Sequence, residues 1–136
     1  MPQTKEVLSL AEEVGIIIEE MKAPEKEDFI QSFLYLLREE EPEEAKEQLN
    51  WEVTSTSVAS VKVSILIDYL LDLNLIKYSS NPGYFLTDEG RRILLNDISP
   101  QLRAKYGERC KRTSSFGDNT QIMKIAKEKY LRRRQG

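Results

Sequence analysis

Ser57 to Leu95, SVASVKVSILIDYLLDLNLIKYSSNPGYFLTDEGRRILL, is the stretch whose reading decides the fold. Val58 to about Leu73 is a long apolar run that predicts a helix, and Asn74 stands where a helix-ending residue is expected. Leu75-Ile76-Lys77-Tyr78 and Tyr84-Phe85-Leu86-Thr87 follow as two short strands rich in apolar and aromatic residues. Between them Ser79-Ser80-Asn81-Pro82-Gly83 is turn chemistry, because Pro fixes φ while Gly and Asn tolerate positive φ. Thr87 is a good N-cap for a helix from Asp88 to Asn96, with Asp88 and Glu89 at its positive end.

Helix, tight hairpin, helix is the order of the second half of a winged helix-turn-helix domain. The residues resemble that superfamily, as in MarR- and PadR-type regulators and the DNA-reading modules of some restriction endonucleases. Its run of Leu-x-x-x-Gly-Leu-Ile, wing, then aromatic-x-Leu-Thr-x-x-Gly-Arg is met here by Leu70, Leu75-Ile76 and Tyr84-Phe85-Leu86-Thr87-Asp88-Glu89-Gly90-Arg91. Asn74 replaces the usual Gly, and both accept the left-handed conformation. The match spans under a third of the chain. It implies a mainly α fold with a small two-stranded antiparallel β wing, and double-stranded DNA as partner. It also implies that an N-terminal helix serves dimerisation.

Working outward, Thr4 to Lys22 reads as a helix capped by Thr4. Val7, Leu8, Ala11, Val14, Ile17, Ile18 and Met21 recur at three- and four-residue spacing, with Glu12, Glu13, Glu19 and Glu20 opposite. Gly15 inside it points to close packing against a neighbour. After the break at Ala23-Pro24, a second helix runs to about Glu41, with Phe29, Ile30, Phe33, Leu34, Leu36 and Leu37 on its core face. Pro42 interrupts, and residues 43–49 read as a short acidic helix. Residues 50–54 read as a turn or short extended piece, with Trp51 plugging the domain edge. Beyond Ser99-Pro100, residues 101–108 predict a short helix and 111–119 a polar loop. Thr120 would then cap a last helix, 121–134, along which Ile122, Ile125, Ala126 and Tyr130 form a narrow stripe. The resulting division is an N-terminal helix (1–23), a winged-helix domain (24–98) and a basic C-terminal helical extension (99–136).

The chain has 136 residues and a net charge of −3, which hides an asymmetry. Residues 1–95 carry nine Lys/Arg against nineteen Asp/Glu, whereas residues 96–136 carry eleven against four. A basic element of this kind meets nucleic acid, an acidic partner protein or the chain's own acidic half. The sequence contains no His and one Cys, which excludes a Ser–His–Asp triad, a Cys–His pair and a zinc finger. No Gly-rich phosphate loop is present, and neither a catalytic centre, a metal site nor a cofactor is expected. Paired glutamates such as Glu12/Glu13 read as solvated helix faces. Cys110, between Arg109 and Lys111, is either a thiol of lowered pKa or an unremarkable one. Absence of a signal-like start and of a ~20-residue apolar run makes the expectation a cytoplasmic protein outside the membrane.

In the winged-helix reading, helix 57–73 enters the major groove. With Val63, Leu66, Ile67 and Leu70 facing the core, Ser57, Val58, Val61, Ile65, Asp68 and Asp72 point away, and Ser60, Lys62 and Ser64 lie on the flanks. Ser57, Ser60, Lys62 and Ser64 are therefore the base-facing candidates. Lys77, Ser79, Ser80 and Asn81 on the wing, and Arg91 and Arg92 after it, are candidates for the phosphate backbone. The tail adds Lys111, Arg112, Arg132, Arg133 and Arg134, whose contacts would be sequence-blind and salt-dependent. The alternative keeps the fold and changes the partner. An outward face carrying Val58, Val61 and Ile65 beside two aspartates is unusually apolar for a groove reader, and as the alternative it fits an interface between proteins or between two protomers.

Overall fold

Helix α2, Glu27–Glu39, is the element around which the computed structural model of the chain is built. The structure describes residues 8–22, 24–39, 49–81 and 83–135. Every residue of α2 from Phe29 to Leu37 is buried, Gln31 and Ser32 included, so the helix is enclosed on all sides. Its neighbours are α1 (Leu10–Glu20), β2 (Val58–Ala59), α5 (Pro100–Ser114) and α6 (Asn119–Gln135). Each large apolar side chain taken out of water in this way contributes about 1.5–3 kcal/mol.

Helix α1 begins at Ser9 with a reciprocal capping box. The Ser9 hydroxyl accepts the Glu12 N–H at 3.2 Å, and the Glu12 carboxylate accepts the Ser9 N–H at 2.8 Å. The expected cap Thr4, and Val7, lie outside the described residues. Glu12 and Glu13 are buried, not solvated as their pattern suggested, because α1 is covered by α2, α4 and α5. Glu13 makes an ion pair with Arg38 of α2 and accepts the Tyr106 hydroxyl of α5 at 3.3 Å. Such burial of a carboxylate is tolerable only with partners of this kind.

The short acidic helix expected at 43–49 falls mostly on residues outside the description. Leu49 is buried, and a small antiparallel ribbon follows, β1 (Glu52–Val53) paired with β2 (Val58–Ala59). This ribbon corrects the start of the long helix. The chain at 58–59 is extended and paired, so α3 runs Val61–Asp72, and Val58 turns into the core. Trp51 packs edge-on to Tyr35 at 5.3 Å, and its carbonyl accepts the Tyr130 hydroxyl at 2.9 Å.

The C-terminal end of α3 is a Schellman motif. Asn74 takes φ 58°, its N–H bonds the Leu71 carbonyl at 3.0 Å, and the Leu75 N–H reaches back to Leu70 at 3.0 Å. The ribbon β3 (Ile76–Tyr78) and β4 (Tyr84–Leu86) follows, with Ile76 opposite Leu86, Lys77 opposite Phe85 and Tyr78 opposite Tyr84. The Tyr84 N–H donates to the Pro24 carbonyl at 2.9 Å, tying this ribbon to the break before α2. Thr87 caps α4 (Asp88–Leu95) by accepting the Gly90 N–H at 2.9 Å, while its own hydroxyl donates to the Asn74 carbonyl at 2.7 Å. Gly90 is required here, since a Cβ would stand 1.8 Å from the Leu75 carbonyl oxygen.

The last two helices are longer than expected. Helix α5 continues through residues read as loop, because Tyr106, Gly107, Cys110 and Thr113 recur on one buried face. Asp118, not Thr120, opens α6: its carboxylate accepts the Gln121 N–H at 2.9 Å, and Gln121 accepts the Asp118 N–H at 2.8 Å. One cluster of buried residues draws on α1, α2, α3, the β3–β4 ribbon, α4, α5 and α6. The described chain is thus mainly helical, with two small two-stranded antiparallel ribbons.

Candidate functional site

The three serines expected at a groove are instead built into the protein. Ser57 is fully buried; its hydroxyl donates to the Met123 carbonyl at 2.9 Å and shares a hydrogen bond with the Ser32 hydroxyl. Ser60 is also fully buried, donating its hydroxyl to the Leu49 carbonyl and its N–H to Oε1 of Gln31 at 2.6 Å. Ser64 accepts from Nε2 of Gln31 at 2.8 Å and donates to Glu27 at 3.1 Å. Two polar side chains of α2, Gln31 and Ser32, therefore fix the loop into α3 and its first turn. The extended pair at 58–59 displaces Ser57 from the helical phase that the sequence suggested.

What α3 presents outward is apolar. Val61, Ile65, Tyr69 and Leu73 are 65%, 63%, 58% and 47% exposed, at intervals of four residues along one side of the helix. Lys62, Asp68 and Asp72 are exposed around them, while Val63, Ile67 and Leu70 face the core. Val61 and Ile65 sit where the sequence put them. Tyr69 and Leu73 extend the stripe, and the four-residue spacing was the signal for them.

On the ribbon, Lys77, Ser80 and Asn81 are exposed, and the Ser79 hydroxyl donates to the Asn81 carbonyl at 2.9 Å. Tyr78 and Tyr84 pack their rings 4.8 Å apart. Burial, then the nearby Glu27 carboxylate, hold the Tyr84 phenol above its usual pKa, and Asp68 of α3 adds to the shift. Arg91 pairs with Glu19 at 3.4 Å and with Asp88 at 3.6 Å, and Arg92 with Glu89 at 2.6 Å.

Much of the basic C-terminal segment is laid against the acidic half of the same chain. Arg103 bridges Glu20 at 2.9 Å and Glu19 at 3.8 Å, and Arg133 bridges Glu39 at 3.1 Å. Arg109 donates to the Leu37 carbonyl, Arg134 to the Tyr130 hydroxyl at 2.9 Å, and Lys127 to the Ser55 carbonyl at 3.1 Å. Lys111, Arg112 and Arg132 are exposed. The structure thus gathers the tail cations along α5 and α6, and α6 packs on the entry to α3 through Met123 and Lys127.

Cys110 is buried, and burial, its largest cause, pushes the thiol up to about 12; Arg103 and Arg109 lower it too little to offset this. The flanking cations therefore do not activate it. Among the described residues no group of three potential ligands stands close enough to hold a metal ion, and no helix is long and apolar enough to cross a membrane. Compared with known proteins, the chain matches no family model, no curated sequence and no solved structure.

Proposed function

We propose that this chain is a winged-helix module that works without catalysis, by burying the outer face of α3 against another folded protein surface. The observation that carries the reading is the exposed stripe of Val61, Ile65, Tyr69 and Leu73 on the helix that such a fold presents to its partner. Contiguous apolar surface on a folded chain marks an interaction site. Tyr is among the residues that anchor protein interfaces, while groove readers need donors and acceptors aimed at base edges. Asp68 and Asp72 on the same element repel phosphate.

Duplex DNA binding is the second reading, favoured by the exposed Lys77 on the ribbon and by Lys111, Arg112 and Arg132 on the last two helices. Titration of a random duplex at two salt concentrations separates the readings. Docking through α3 predicts little binding even at low salt, and strong hydroxyl-radical labelling of Tyr69 and Leu73 in dilute protein. Tight duplex binding that falls steeply with salt and is lost in Lys77→Ala or Arg132→Ala would reverse the order of the two.

A further inference from the structure

We infer that the surface received by α3 is the α3 of a second copy of this chain, laid antiparallel across a two-fold axis. The inference rests on the docking role proposed above and names its partner. The stripe is self-complementary in that arrangement. With the axis passing beside residue 67, Val61 lies opposite Leu73 of the second copy, Ile65 opposite Tyr69, and Lys62 opposite Asp72.

Charge selects the direction. α3 has no acidic residue in its first turn and no basic residue in its last, while Asp72 sits at its negative end. Alone, that placement is unfavourable. An antiparallel second helix brings the positive start of its own α3 beside Asp72, and its Asp68 and Asp72 lie toward Lys62. Parallel pairing would set Asp68 and Asp72 against their own counterparts, with like charges and like dipole ends together. The burial of Ser57 and Ser60 inside the protomer, and the bonding of half-buried Ser64 to Gln31 and Glu27, leave the apolar stripe to dominate this face.

Sedimentation equilibrium of the full chain over a wide concentration range is expected to show a monomer–dimer equilibrium. Ile65→Glu and Tyr69→Lys should each weaken it by about 30-fold or more, as loss of a central anchor does. Both positions are exposed in the protomer, so melting temperatures taken at concentrations where the wild type is monomeric stay near wild type. Ile93→Glu, at an exposed position on α4, should leave association unchanged. Direction is read by disulfide trapping: Val61→Cys mixed with Leu73→Cys links, whereas Val61→Cys alone does not, because like positions stand about 18 Å apart along the axis. Cys110 is buried and does not compete.

A dimer that survives both α3 substitutions, or one in which Val61→Cys links to itself, overturns the inference. A chain that stays monomeric with Tyr69 open to radical labelling also overturns it, but leaves docking of another protein standing. A monomer with Tyr69 shielded overturns both.

Discussion

Oε1 of Gln31 accepts the backbone N–H of Ser60 at 2.6 Å inside the protein, so the first turn of α3 is held from α2 and not by a hydroxyl of its own. The same side chain donates to Ser64 at 2.8 Å and to Glu27 at 3.2 Å. Gln31→Leu keeps the volume but strands the Ser60 N–H. The expected loss is about 2–4 kcal/mol, seen as a lower urea midpoint with an unchanged slope. A shift below about 0.5 kcal/mol would mean that water replaces the amide at no cost.

Two glycines on facing helices should respond oppositely. At Gly90 a Cβ would lie 1.8 Å from the Leu75 carbonyl oxygen, and backbone must move to admit it. Gly90→Ala is expected to cost about 3 kcal/mol or more. At Gly15 the nearest atoms, on Leu94, are 3.4 Å away, an ordinary contact, and Ala would recover up to about 1 kcal/mol of helix propensity. Thermal melts of the two variants check the contrast; equal destabilisation would refute it.

Buried Glu13 and half-buried Arg38 form an ion pair joining α1 to α2. Arg38→Met leaves the carboxylate without its countercharge and should cost about 3–5 kcal/mol. Combining it with Glu13→Leu should recover part of that loss, because the carboxylate is no longer there to desolvate while the Tyr106 hydroxyl loses its acceptor. A double variant as unstable as Arg38→Met alone would show that packing, and not charge, sets the cost.

Alkaline pH should weaken the fold before any strong effect of mild acid at these groups. Cys110, held up to about 12, and Tyr106, raised well above its usual range by burial and then by Glu13, stay protonated in the folded chain. Once unfolded they lose their protons at ordinary values. Their contribution is therefore complete below the unfolded thiol value and is lost as pH rises through the folded one. Urea midpoints should fall from about pH 9 upward, and Cys110→Ala with Tyr106→Phe should flatten the decline. A midpoint constant to pH 11, roughly one unit above the free phenol, would sink this account.

Short-range signals were legible where the chain solves its own local problem. Asn74 at positive φ and Thr87 over Gly90 do what their residue types predict, since helix ends must satisfy backbone groups within a few residues. The β3–β4 ribbon followed from its flanking apolar pairs and its turn. The entry to α3 was not legible. Ser57 through Ala59 looks helical by composition, and only pairing with Glu52–Val53 and hydrogen bonds from Gln31 and Ser32 make it extended and internal. Residues 111–114 look like a loop until Thr113 joins Cys110 on a buried surface.

The sequence by itself determined the main helices, the ends at Asn74 and Thr87 and the ribbon after α3, because caps, turns and apolar periods act over three or four residues. Tertiary structure alone decided which polar groups are spent inside, as with Glu13, Gln31, Ser57 and Ser60. It also decided that Arg103 and Arg133 lie on the chain's own carboxylates, and that Val61, Ile65, Tyr69 and Leu73 are left outside. A helix carries apolar residues on more than one face with the same local stability, and which face is covered depends on residues distant in sequence that happen to pack there.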